Sequence, residues 1–213
     1  MMKRVLLITC VLLTVITVSS NARSIKDIFL NAPDDLFAII DKETRLDLLD
    51  YYNAGSTISI QNNLGDDTQF IKVTDDFLSI QLAESSEIEM KMLCFSKKDT
   101  IIVVNSTIKS PTPDGKLSFY TADWKPIDAK KHISIPDMKA FISIPKGSDV
   151  EIKDVLNQID FPLISYSIDP ATATITAMQN LEQYMSKEEY KKIANYLIPS
   201  IKYTLSGKKY RKE

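Results

Sequence analysis

The residues of this sequence whose types suit chemistry are few: the carboxylates Asp47 and Asp50, the doublets Asp66-Asp67 and Asp75-Asp76, the sole histidine His132, and Cys94. Asp47 and Asp50 lie three apart, so on a helix both carboxylates face the same way, and such a pair can hold a cation or act as acid and base. The plainer reading is a solvated helix face, since charged residues are mostly exposed. The two doublets sit in turns, where Asp bonds its own backbone, and neither is followed by the regularly spaced oxygen ligands of a calcium loop. His132 lies in a lysine-rich connector, and no Gly-x-Ser-x-Gly elbow accompanies it. Cys94 and His132 are the Cys–His pair available for thiol catalysis, but strand alternation places Cys94 inside, whereas a catalytic thiol needs an exposed, electropositive setting. One His and one Cys do not close a zinc tetrahedron, and no phosphate loop or dinucleotide fingerprint is present. No metal or cofactor is implied.

Tyr120 and Trp124 share parity at the end of a strand, so their rings can form a platform for a sugar ring or a partner's side chain. They are the expected binding residues. The plainer reading of the same pair is that it closes one end of the core.

The elements that must position these residues are organised around Phe77 to Ile108. Leu78, Ile80 and Leu82 alternate with polar residues, as do Ile88, Met90 and Met92, which predicts strands with one face in a core and the other in water. Turns at Glu84-Ser85-Ser86 and Ser96-Lys97-Lys98-Asp99 join them into a meander. Ser56 to Ile60 and Thr68 to Val73 add two strands before it, and Leu117 to Ala122 adds a sixth after the turn Pro111 to Gly115. The connections are too short for parallel crossovers, so all are antiparallel. Ahead of the sheet, Pro33-Asp34-Asp35 reads as a helix first turn, and Asp41 caps a helix over residues 42–53 whose Leu46, Leu49 and Tyr52 share a face, with Gly55 as a left-handed stop. Beyond about residue 130, Ser148 to Gln158 has helical spacing, Ile164 to Ile168 and Thr172 to Met178 form a hairpin, and Ser186-Lys187-Glu188-Glu189 is a capping box. A last strand pair surrounds Ser206-Gly207. The expected fold is α+β: an antiparallel meander covered by helices over residues 23–128, with a smaller sheet-and-helix region over 129–213 in the same or a second domain.

Lys3 and Arg4 precede an apolar run from Val5 to Val18 and then Ser19-Ser20-Asn21-Ala22, the order of a secretory signal peptide. The run is shorter than the roughly 20 residues that span a bilayer, so cleavage after Ala22 is expected rather than anchoring. Cys94 is then the one remaining cysteine, and stability must come from burial rather than a disulfide. Loss of Lys3 and Arg4 makes a chain of formal charge −2 more acidic. Without a basic stripe, nucleic acid is not an expected partner.

The stretches Pro33-Asp34-Asp35-Leu36, Arg45 to Tyr52, Thr74 to Leu78 and Glu89 to Leu93 are similar to an exported Bacteroidetes family, domain-of-unknown-function family 3256. So are Phe119-Tyr120-Thr121 with Trp124, Ile164 to Ser167, and the helix start from Tyr184 to Glu188. The family ends with a Trp in its last strand where this chain has Thr204. The resemblance implies a periplasmic or secreted location and no activity. Asp99-Thr100-Ile101 also resembles the short acceptor sequence of O-glycosylation in Bacteroidetes, which makes Thr100 an expected glycan site. Two function classes follow: an exported, non-enzymatic protein that binds an envelope protein or a glycan, and, as the alternative, a hydrolase in which Asp47 and Asp50 converge with Asp75 or Asp76.

Overall fold

The structure, a computed structural model, describes residues 23–56, 58–96 and 99–213. The expected leader with Cys10 lies outside the described residues, as do Thr57 of the expected first strand and Lys97 and Lys98 of the turn before Asp99.

Capping residues start the helices where the backbone needs them. Ser24 and Asp27 form a capping box at the head of helix α1 (Ile25–Leu30). The Asp41 carboxylate accepts the Thr44 N–H at 2.8 Å and opens helix α2 (Lys42–Asn53), which ends before Gly55 at φ +76°. Between them residues Asp34–Phe37 form a single 3₁₀ turn. The inward face of α2 carries Arg45, Leu48 and Leu49, and Leu46, expected inside, is 45% exposed. Arg45, 1% exposed, crosses under the 3₁₀ turn, donates to the Ala32 carbonyl and to Asp34, and lies 5.6 Å from the Phe37 ring. It thereby ties α2 to the preceding loop.

The first sheet has seven strands in chain order, all antiparallel: β1 (Ile60–Gln61), β2 (Asp67–Val73), β3 (Phe77–Ala83), β4 (Ser86–Ser96), β5 (Asp99–Ile108), β6 (Asp114–Thr121) and β7 (Pro126–Ile127). The seventh, a two-residue strand, follows the six that alternation predicts, and the first is shorter than its apolar pattern. Four more strands form a second antiparallel sheet of order β11-β10-β9-β8: β8 (Ile164–Ile168), β9 (Ile175–Gln179), β10 (Ser200–Ser206) and β11 (Lys209–Lys212). Short helices α3 (Ile152–Leu156), α4 (Leu181–Tyr184) and α5 (Lys187–Ile193) accompany it. The fold is α+β.

Both faces of the first sheet are covered. Leu78, Ile80, Met90, Ile102 and Val104 pack against Ile28, Phe29, Phe37 and Leu48 of the helical layer. Leu93, Ile101, Val103, Leu117 and Phe119, on the face that alternation assigns to water, pack against Ile164, Tyr166, Ile168, Ile175 and Tyr203 of the second sheet.

Strand β8 is the edge of the second sheet, and it crosses β6, β5 and β4 in turn. The Ile164 N–H donates to Asp114 at 3.2 Å, and the Tyr166 carbonyl accepts from the Asn105 amide at 2.8 Å. Two residues further, the Ile168 N–H donates to Glu89 at 3.1 Å, and the Pro170 carbonyl accepts from Lys91 at 2.6 Å. Polar side chains of one sheet thus replace the missing partner strand of the other. Burial raises the Glu89 carboxyl above its ordinary range, opposed by donated hydrogen bonds from Asn105 and Ile168. Gly115 makes the approach sterically feasible, because a Cβ there would stand 3.2 Å from the Tyr166 ring and 3.3 Å from the backbone of Ser165 and Tyr166. Gly115→Ala should therefore destabilise the protein by about 1–3 kcal/mol through overpacking. Urea unfolding checks this: the midpoint should fall with the slope unchanged.

Candidate functional site

Concave sites among the described residues include two of note. The first is a cleft of about 190 Å³ between the loop Gln158–Phe161 and helices α4 and α5, lined by Gln158, Ile159, Asp160, Phe161, Leu181, Tyr184, Met185 and Glu189. Leu181, fully buried, anchors its floor, and Asn180 before it donates to the Pro113 carbonyl at 2.8 Å and to Ser165 Oγ at 2.9 Å. The cleft is thereby tied to the rim of the first sheet and to β8. The wall is Phe161 (56% exposed) and Tyr184 (43% exposed), whose rings meet edge to face at 5.8 Å. Large exposed rings are costly to leave in water and are a common signature of contact surfaces.

The opposite wall follows from the capping box foreseen in the sequence. The Ser186 hydroxyl and N–H both donate to the Glu189 carboxylate, which returns the chain into α5 and hold its carboxyl below its ordinary range. Glu189 is therefore anionic at neutral pH. Asp160 adds a second carboxylate, and no lysine or arginine lines the cleft.

The second concave site, about 260 Å³, lies between α2 and β2 and is lined by Leu48, Tyr52, Ser56, Ile58, Phe70, Ile71, Lys72 and Val73. Beyond Thr68 no described strand pairs with the outer edge of β2. The register shift between Phe70 and Lys72 bends that edge, the Tyr52 hydroxyl donates to the Val73 carbonyl at 3.4 Å, and Lys26 sits 4.6 Å from the Tyr52 ring. Bulge, hydroxyl and cation are devices that blunt an edge against strand addition.

The residues singled out in the sequence are dispersed. Tyr120 and Trp124 come together with ring centroids 5.2 Å apart, half-buried against the helical-side core, and the indole N–H donates to the Ile28 carbonyl at 3.1 Å. Asp47 and Asp50 are exposed on α2, Asp66, Asp67 and Asp75 are exposed in and beside turns, and Asp76 pairs with Lys91 at 2.7 Å. None of them lines either cleft. Among the described residues no three of His, Cys, Asp and Glu form a group able to hold a metal ion.

Cys94 is exposed, which corrects the interior placement. Its parity matches Met90 and Met92, on the side of the sheet that the helices cover, but at the end of β4 it is no longer under them. The Thr100 hydroxyl, half-buried on β5, lies 3.8 Å from its sulfur. His132 is on the other side, stacked on Phe119 at 5.5 Å, with Nδ1 2.8 Å from the Lys208 carbonyl. A carbonyl only accepts, so Nδ1 carries the proton. Thiol and imidazole thus face opposite layers.

Phe161 and Tyr184 are the site residues that pattern reading misses. Each stands outside the alternating runs, beside Pro162 and ahead of the Ser186 cap. Off-pattern placement alone does not distinguish an exposed ring from a buried one, so the sequence holds no signal that singles them out.

A family model described as "Protein of unknown function (DUF3256)" matches residues 17–210. None of the curated proteins matches the chain. A solved structure, that of a domain of an uncharacterized protein from Porphyromonas gingivalis W83, is similar with a TM-score of 0.77 and 23% identity, over 89% of this chain and 97% of that one. That likeness shows the fold. Among the described residues no helix is long and apolar enough to cross a membrane.

Trp124 has φ +60°, a left-handed conformation that disfavours any side chain. The ring's packing and its bond to Ile28 must outweigh that strain. Trp124→Ala and Trp124→Gly should both lose stability, by about 1–3 kcal/mol, with the glycine variant the more stable of the two because it tolerates the backbone conformation. Circular dichroism during urea unfolding gives the order.

Proposed function

The chain belongs to the DUF3256 family, whose description names no activity, and from that premise we propose that it is an exported, non-enzymatic protein that binds a partner protein of the cell envelope. The observation that carries the reading is the cleft walled by Phe161 and Tyr184, a concave site with exposed rings and polar groups at its mouth. Its size favours a protein over a glycan as partner. At about 190 Å³ it falls below the roughly 300–1,000 Å³ of sites that enclose whole small ligands, and fits one side chain of a larger surface. Tyr120 and Trp124 serve as a second, shallower contact at the rim of the helical layer.

The sequence of residues 1–22 supports export, and an exported protein would meet its partner in the periplasm or outside the cell. Against hydrolysis weigh the separate positions of the carboxylates: Asp47 and Asp50 open to water, Asp76 neutralised by Lys91. A carboxylate mechanism needs two such groups facing one substrate.

Proximity labelling in the native envelope tests the reading. Phe161→Ala combined with Tyr184→Ala removes two exposed rings, so the double variant should fold and accumulate as the parent does. The envelope proteins labelled by the parent should fall to background in the variant. Unchanged labelling at equal abundance would reject the cleft as the binding site.

A further inference from the structure

We propose that the Phe161–Tyr184 cleft receives a cationic side chain, a lysine or arginine presented by the partner protein. The inference rests on the cleft being a binding site and names the chemistry it selects.

Four observations converge on a cation with an apolar stem. The charged groups lining the cleft are Asp160 and Glu189, both carboxylates. The Ser186 hydrogen bonds keep Glu189 ionised. The rings of Phe161 and Tyr184 both border that space, and the face of an aromatic ring attracts an ammonium or guanidinium within about 6 Å of its centre. The floor of Ile159, Leu181 and Met185 matches the methylene stem that lysine and arginine bury behind their charged heads. Lys192 is close enough to act on Glu189 but does not line the cleft.

The protein uses this pairing internally. Lys26 lies 4.6 Å from the centre of the Tyr52 ring, Arg45 5.6 Å from Phe37, and Lys208 5.7 Å from Phe95. In each case the chain supplies its own cation to a ring. Among the described residues, Phe161 and Tyr184 receive none, although their cleft is the one bordered by two carboxylates. The position that the chain fills elsewhere is left for the partner.

The test follows the Met185 methyl and Tyr184 ring signals by NMR in the intact protein. The probes are the N-acetyl N-methylamides of lysine, arginine and norleucine, the last keeping the stem without the charge. Lysine and arginine should give saturable shifts that norleucine at equal concentration does not. Asp160→Asn with Glu189→Gln should weaken them about fivefold or more, while glutamine preserves the capping box and hence α5. Equal saturation by norleucine would overturn the cationic selection and leave the cleft a binding site. Silence of all three probes at this cleft would also overturn the inference, and the labelling of the double ring variant would then decide the proposed function by itself.

Discussion

The architecture depends on how the open edge of β8 is satisfied. An edge strand buried against another sheet leaves backbone donors and acceptors away from water, at about 1–3 kcal/mol for each group left unpaired. Here Asp114, Asn105, Glu89 and Lys91, spread over three strands of the first sheet, meet the groups at Ile164, Tyr166, Ile168 and Pro170. From Ile164 to Ile168 each step of two along β8 meets the next strand of the first sheet, β6, β5 and then β4, and this fixes the direction in which the layers cross. The arrangement carries its own cost, seen in the raised Glu89 carboxyl and the buried Lys91 ammonium. Gly115 lets the backbones approach closely enough for the bonds to form.

This constraint reaches the candidate site. Asn180 bonds at once to Pro113 at the head of β6 and to Ser165 of β8, and the next residue, Leu181, is the buried floor of the cleft. The Phe161–Tyr184 wall therefore stands on the junction of the two sheets. A contact surface held by rigid elements loses less conformational entropy on binding.

Much of the fold is legible in the sequence, and the failures have physical reasons. Period-two alternation locates β3 to β6 and β8, and the oxygen-bearing caps at Asp41 and Ser186 locate the starts of α2 and α5 to the residue. The same alternation misassigns the second face of the first sheet, because Glu89, Lys91 and Asn105 look like water-facing residues. They are polar because they bond a crossing backbone, a long-range fact no local period encodes. Cys94 shows the complementary error: parity gives its face, but where the covering helices end is a matter of packing. On α2 the helical period holds and Leu49 is inside as expected, but Arg45 and Leu48 complete the buried face and Leu46 is exposed. The candidate site was the least legible part. The Ser186 cap was plain, but Phe161 and Tyr184 matter through exposure, and isolated aromatics outside a repeat carry no mark of it.

Native-state hydrogen exchange at the Ile164 and Ile168 amides tests the edge directly. If side chains of the first sheet close the β8 edge, both amides are freed only when the sheets part, and they should exchange as slowly as the core amides of β4 and β5. Fast exchange at either, with β4 and β5 still protected, would contradict the account and leave β8 an open edge resting on the first sheet.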